Sequence, residues 1–215
     1  MSGWLYKASK ADYSSPLKHQ KFLFFYEAMS KVAKDEYEFS GLKGYRHGPV
    51  FSAVWGDRAH EAESFLNTAN DVYEKHPELI DANRAAVGLF VVQAFTTEEL
   101  IRITHSMNIW SVKKARIEKA LKGNSGKEQK IVLSESDFNE QDSLMVFKMA
   151  AAFPREYVDS VRIVNVGSTN YAFPKKDAEK LTPEQYDVLL QLDMEGELEN
   201  PVYACIDDDG AITVD

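Results

Sequence analysis

Apolar positions recur at helical spacing through most of the chain and switch to a two-residue period near its end. The strongest stripe follows Ser15-Pro16, a helix start in which proline takes the first turn, where its missing N–H costs nothing. Phe22, Phe25, Tyr26, Met29 and Val32 repeat every three or four residues, and Leu23 and Phe24 spread the stripe over most of the circumference. The spacing predicts a helix over residues 16–34 at the centre of a core. Residues 39–54 interleave Gly41, Gly44, Gly48 and Pro49 with Tyr45, Arg46 and His47, and read as a tight loop leading into another helix. An amphipathic helix follows over 58–76, with Ala62, Phe65, Leu66, Ala69, Val72 and Tyr73 on one stripe, and Pro77 breaks it. A buried helix is expected over 77–95. Its apolar stretch, Ala85 to Phe95, is well short of the roughly 20 residues a bilayer span needs.

Thr96-Thr-Glu-Glu99 supplies a capping box, so a short helix starts there and ends near Thr104-His105. Trp110 opens a further helix to Lys122, followed by a break at Gly123-Asn-Ser-Gly126, and residues 137–153 form the last helix of the body. Pro154 marks the expected boundary. Beyond it, β-branched Val161 to Val166 reads as a strand, Gly167-Ser168 as a turn and Tyr171 to Phe173 as its return. Thr182 caps a helix to Met194, and Val202 to Ile206 and Ala211 to Val214 form a hairpin whose Asp209-Gly210 signals a type I′ turn. The expected fold is mainly α: a helical domain over 1–153, then a small α+β module of ββαββ order over 154–215.

Composition changes this picture little. With 44% hydrophobic and 27% charged residues among 215, the chain is a packed globular protein. The one cysteine, Cys205, excludes an intrachain disulfide and zinc ribbons, and no apolar run of signal-peptide length opens the sequence. A reducing cytoplasm is the expected compartment. Charge is more informative. Residues 152–215 hold 5 of the 25 Lys and Arg but 14 of the 34 Asp and Glu, so the net charge of −9 lies wholly in the terminal module. A neutral body with an acidic end is a poor general nucleic-acid binder and suits a basic protein surface.

Catalytic chemistry finds little support. The histidines at 19, 47, 60, 76 and 105 have no zinc-site spacing, and Asp207-Asp208-Asp209-Gly210 lacks the alternating ligands of a calcium loop, so no metal and no cofactor is expected. Phosphate-cradling and nucleophile-elbow motifs are missing, and Thr104-His105-Ser106 reads as a helix end with its histidine on the last carbonyls. The chain is therefore expected not to be an enzyme. Binding candidates are Tyr45, Arg46 and His47 in the glycine-rich loop, His105 and Trp110, and the acidic turn Asp207, Asp208 and Asp209. Lys113, Lys114 and Arg116 give the Trp110–Lys122 helix a basic face, the contact of an alternative DNA-binding regulator.

Three stretches, taken together, resemble one family. Lys21-Phe-Leu-Phe-Phe-Tyr26, the loop Tyr45-Arg-His-Gly-Pro-Val50, and Leu100-Ile-Arg-Ile-Thr-His105 with Trp110 five residues on are similar in order and spacing to the Panacea domain of SocA-like antitoxins. The likeness covers residues 14–151; His47 stands where an aromatic is usual, and Ile103 where leucine is. The resemblance implies a mostly helical antitoxin domain that neutralises a cognate toxin by direct binding, or delivers it to a protease as an adaptor. The partner the resemblance implies is a protein toxin; the acidic end adds the expectation that its active site is basic, with self-association as an open alternative and membrane or DNA contact not expected.

Overall fold

The computed structural model describes residues 1–122, 131–196 and 198–215. Two short helices, α1 (Ser2–Ala8) and α2 (Lys10–Ser14), lead into α3 (Pro16–Ala33). The Ser15 side chain accepts from the Lys18 N–H and Lys34 closes the helix in the left-handed region, so both ends of α3 are capped. All residues from His19 to Ser30 are buried, polar ones included. Burial of a polar side chain is tolerable only with a partner, and each here has one. Gln20 accepts from the Phe51 N–H, Glu27 from the Glu38 N–H, and Ser30 donates to the Tyr26 carbonyl.

The segment expected as a loop is a β-hairpin, β1 (Leu42–Tyr45) and β2 (Gly48–Phe51). Its glycines hide the strand signal, since they lower strand propensity without forbidding pairing. The left-handed step falls on Gly48 (φ +106°). Gly44 leaves room for a helix: a Cβ there would lie 2.4 Å from the Ile117 Cδ1.

The helix expected over 58–76 is two helices, α4 (Ser52–His60) and α5 (Ala62–Lys75). Glu61 leaves helical angles between them, so that α4 can place Arg58 on α3 while α5 turns onto α1. A 3₁₀ turn at Pro77–Leu79 precedes α6 (Ala82–Ala94), which Asp81 caps, so the helix begins five residues later than the sequence reading put it. The capping box at Thr96 and Glu99 is present and starts α7 (Thr97–Ser106). Instead of one helix from Trp110, the chain forms α8 (Asn108–Ser111) and α9 (Lys114–Lys122). Trp110 turns toward the Tyr45 carbonyl and Ile117 toward Gly44; a break between the helices lets both be buried. The break read at Gly123–Gly126 lies outside the described residues. Strand β3 (Ile131–Val132) then pairs with β1, completing a small sheet in the order β2-β1-β3, and α10 (Glu140–Ala152) packs on α3.

An unanticipated helix, α11 (Arg155–Ser160), follows Pro154. Strands β4 (Val161–Val166) and β5 (Thr169–Pro174), helices α12 (Lys175–Ala178) and α13 (Pro183–Glu195), and the hairpin β6 (Val202–Ile206) and β7 (Ile212–Val214) complete the chain. The sheet order is β4-β5-β6-β7, with the β5–β6 pair parallel and the others antiparallel, as the intervening helical crossover requires. The acidic hairpin turn is not type I′, which needs positive φ at both central residues. Only Gly210 has it (φ +85°), and the Gly210 N–H donates to the Asp207 carbonyl, a three-residue loop closed by a left-handed glycine. Two hydrophobic cores result. The larger surrounds α3; the smaller comprises Val164, Val166, Tyr171, Phe173, Leu189, Val202 and Ala204. Strand β4 serves both, Val161 and Ile163 packing on the larger and Val164 and Val166 on the smaller, because successive side chains point to opposite faces. Asn170 and Asn200 fasten the sheet to the body through the Ala94 carbonyl and the Glu99 carboxylate. Among the described residues no helix is long and apolar enough to cross a membrane.

Candidate functional site

The β1–β2 turn is held from beneath by its own backbone carbonyls. Lys21, reaching up from α3, donates to the His47 carbonyl at 2.7 Å and to the Thr104 Oγ1 of α7 at 2.8 Å. Thr104 in turn donates to the Leu100 carbonyl, so its hydroxyl is oriented to accept. Trp110 Nε1 donates to the Tyr45 carbonyl at 3.1 Å, and the His105 ring stacks on the Trp110 indole at 3.6 Å between centroids and 9° between planes. Helix α8, which carries Trp110, is seated on a carboxylate from α10: Asp142 accepts from the Asn108 N–H at 2.6 Å and the Ile109 N–H at 2.8 Å. These bonds leave the backbone of residues 45–48 fixed and the side chains of Arg46 and His47 exposed.

Beside the turn lies a cleft of about 480 Å³, with Pro16, Leu17, Tyr45, Val50 and Trp55 among its walls. Trp55, on α4, is 40% exposed, unusual for a tryptophan in a folded chain. Burial draws the Lys21 ammonium down to about 7, and draws His105 to about 4 with help from the Lys21 charge; the Arg46 backbone pulls His105 the other way.

A second polar cluster lies under α4. His19 contacts the Arg58 guanidinium through Nδ1 at 3.0 Å and the Ser2 hydroxyl through Nε2 at 2.9 Å. A guanidinium can only donate, so Nδ1 is the acceptor and Nε2 carries the proton. Nε2 then donates to Ser2 and cannot take its proton, which removes the pair as an activated nucleophile. Burial, then Arg58, draws His19 down to about 3. Because the unfolded chain protonates its histidines near 6.5, the stability these two neutral rings contribute is complete above that pH. It is lost as pH falls from 6.5 toward about 4 for His105 and about 3 for His19. Urea denaturation at a series of pH values should show stability falling already between about pH 6.5 and 5, where most carboxylates remain charged, and His19→Asn should flatten that slope.

The sequence candidates divide into three groups. Tyr45, Arg46, His47, His105 and Trp110 come together at the turn, but in different roles. Arg46 and His47 face outward, whereas Trp110 is buried beneath them and bonds backbone. His105 does not cap the carbonyls of its own helix end, as its position suggested; it lies flat on Trp110 with Nε2 buried and unpartnered. Lys113, just before α9, is engaged by Asp137 at 3.0 Å and Lys114 lies 4.0 Å from Glu118, so part of this basic stretch is already paired, while Arg116 is exposed. Asp207, Asp208 and Asp209 sit exposed on the β6–β7 hairpin, which Gln185 ties to α13 through the Gly210 carbonyl. Among the described residues they share no hydrogen bond with the cleft. Sequence reasoning missed Trp55 and Asp142 as parts of the site and used Lys21 and Thr104 only as motif residues. A lone lysine inside an apolar helical stripe is the one signal that could have flagged a buried charge. No family model, curated protein or solved structure matches this chain.

Proposed function

We propose that this protein acts by binding another protein through the β1–β2 turn and its cleft, and that it is an antitoxin whose partner is a toxin. One observation carries the binding reading: Tyr45, Arg46 and Trp55, the residue types that dominate binding hot spots, line one preformed apolar cleft on a turn whose backbone is already fixed. A surface ordered in advance spends little conformational entropy on association. The toxin assignment follows from the resemblance of residues 14–151 to SocA-like antitoxins. The acidic terminal module suits a partner with a basic active site, which it would approach under electrostatic steering.

The test is capture of a stoichiometric partner from the native host, followed by expression of that partner alone and together with this chain. Toxicity alone and survival on co-expression are the expected results; a partner harmless when expressed alone overturns the antitoxin assignment. An unchanged half-life of the toxin in the presence of this chain distinguishes direct neutralisation from proteolytic delivery. Arg46→Glu with Trp55→Ala should weaken partner binding by about 30-fold or more, the loss of a single hot spot, while leaving thermal stability within about 1 kcal/mol. Retention of full affinity by that variant would move the interface elsewhere.

A further inference from the structure

We infer that the cleft beside the β1–β2 turn is a binding site for a small monocarboxylic acid with an aromatic or aliphatic body, its carboxylate received by Lys21 and the Tyr45 hydroxyl. The inference holds whether or not the protein partner is a toxin. Lys21 forms part of the cleft wall and is 1% exposed. Its ammonium has three N–H groups, of which two are used by the His47 carbonyl and Thr104 Oγ1. Among the described residues the third has no acceptor, and no carboxylate pairs with this charge. A buried ammonium without a counter-ion is costly, and a ligand anion is the group that would relieve it. The Tyr45 hydroxyl, from the same wall, is buried and also lacks a partner. Buried polar groups are nearly always satisfied, so an unpartnered hydroxyl and an ammonium with one N–H to spare in the same cleft wall point to an acceptor that comes from outside the chain.

The remainder of the cleft selects the class of anion. Arg46 and His47 add hydrogen-bond donors, and no Asp or Glu lines the cleft, in a chain whose net charge is −9. Pro16, Leu17, Val50 and Trp55 supply an apolar wall that a phosphate or other fully polar anion would leave unused. The volume, about 480 Å³, falls within the range of small-molecule sites and accommodates a ring or short chain together with its carboxylate. Burial sets Lys21 at about 7, so an arriving carboxylate favours the charged amine and binding is accompanied by proton uptake. Lys21 meets the His47 carbonyl of the turn and the Thr104 hydroxyl of α7, and the titratable group coupled to its charge is His105; none of them is anionic.

The experiment titrates the full chain with 4-phenylbutyrate and with its neutral amide, by calorimetry and ligand-observed NMR. Near pH 6 the carboxylate should bind about tenfold or more tightly than the amide, and the preference should shrink to about twofold or less near pH 9 as Lys21 loses its charge. Lys21→Met should abolish the preference while retaining weak binding of both compounds. Because that variant removes a buried hydrogen-bonding group and is at risk of misfolding, the pH series is repeated in His47→Gln, which eliminates the imidazole as the source of the pH dependence. Equal affinity for acid and amide, absence of binding at about 5 mM ligand, or a preference that survives in folded Lys21→Met would each overturn the assignment.

Discussion

Gly48→Ala is expected to destabilise the protein by about 3 to 5 kcal/mol, through a strained backbone together with a disrupted buried contact. Gly48 has φ +106°, which an alanine occupies only under strain worth about 1 to 3 kcal/mol. A Cβ at this position would lie 2.2 Å from Lys21 Nζ and 2.7 Å from Thr104 Oγ1, closer than non-bonded atoms approach. The lysine would have to withdraw from one or both of its acceptors while remaining buried, and a lost hydrogen bond to a charged group costs about 1.5 to 3 kcal/mol. Thermal unfolding should register a fall of roughly 6 to 20 °C for a chain of this size. Gly41→Ala is the control, since nothing lies within 4 Å of its added Cβ, and should change stability by no more than about 0.5 kcal/mol. In a Lys21→Met background, Gly48→Ala should cost measurably less than in the wild type, because the nearer of the two atoms it collides with is gone. Equal costs for Gly48→Ala and Gly41→Ala would show that the turn is not anchored on Lys21.

Asp142→Ala is expected to cost about 2 to 4 kcal/mol, although the residue touches neither the cleft nor the exposed turn. Asp142 is 2% exposed and accepts from two consecutive backbone N–H groups, those of Asn108 and Ile109, at the start of α8. These are orphan donors of a helix N-terminus, and a carboxylate from another helix both satisfies them and matches the positive end of the helix dipole. Alanine would leave both N–H groups buried and unpaired. Asp142→Asn retains one acceptor oxygen and should lose about half as much, so the ranking of wild type, Asn and Ala in urea denaturation is itself diagnostic. The effect should reach the turn, because α8 carries Trp110 and Trp110 holds the Tyr45 carbonyl. An amide NMR spectrum of Asp142→Asn should show shifts at Tyr45 and the Trp110 indole. Shifts confined to α8 and α10, with Tyr45 unmoved, would mean that the turn is held by Lys21 alone.

Much of the architecture was legible in the sequence where a local rule decides the outcome. Ser15-Pro16, Thr96-Glu99 and Thr182-Gln185 start helices because each places a capping side chain within reach of its own helix N-terminus, and all three do so in the structure. The β-branched Val161–Val166 and its return strand were equally readable, since strand alternation survives without tertiary context. The hairpin at 42–51 was not. Its strands contain two glycines and a proline, and what makes them pair is the support of α3 below and Ile117 above, residues distant in sequence. The breaks at Glu61 and between α8 and α9 have the same origin: no glycine or proline marks either, and the flanking helices turn onto different neighbours.

The candidate site divides along the same line. Residue order alone brought Tyr45, Arg46, His47, His105 and Trp110 forward as one set, and it determined the helical class of the body and the acidic character of the end. Which of them face outward and which lie beneath is a matter of tertiary structure. The carbonyl of residue 47 needs a donor once the turn is packed against the body, and Lys21 can supply it only because α3 and α7 place the lysine and Thr104 on either side of Gly48. Sequence sets the periodicity, caps and charge, which are local properties. Burial of a charge, exposure of a tryptophan and the shape of a cleft depend on which distant segments meet, and those were decided by packing.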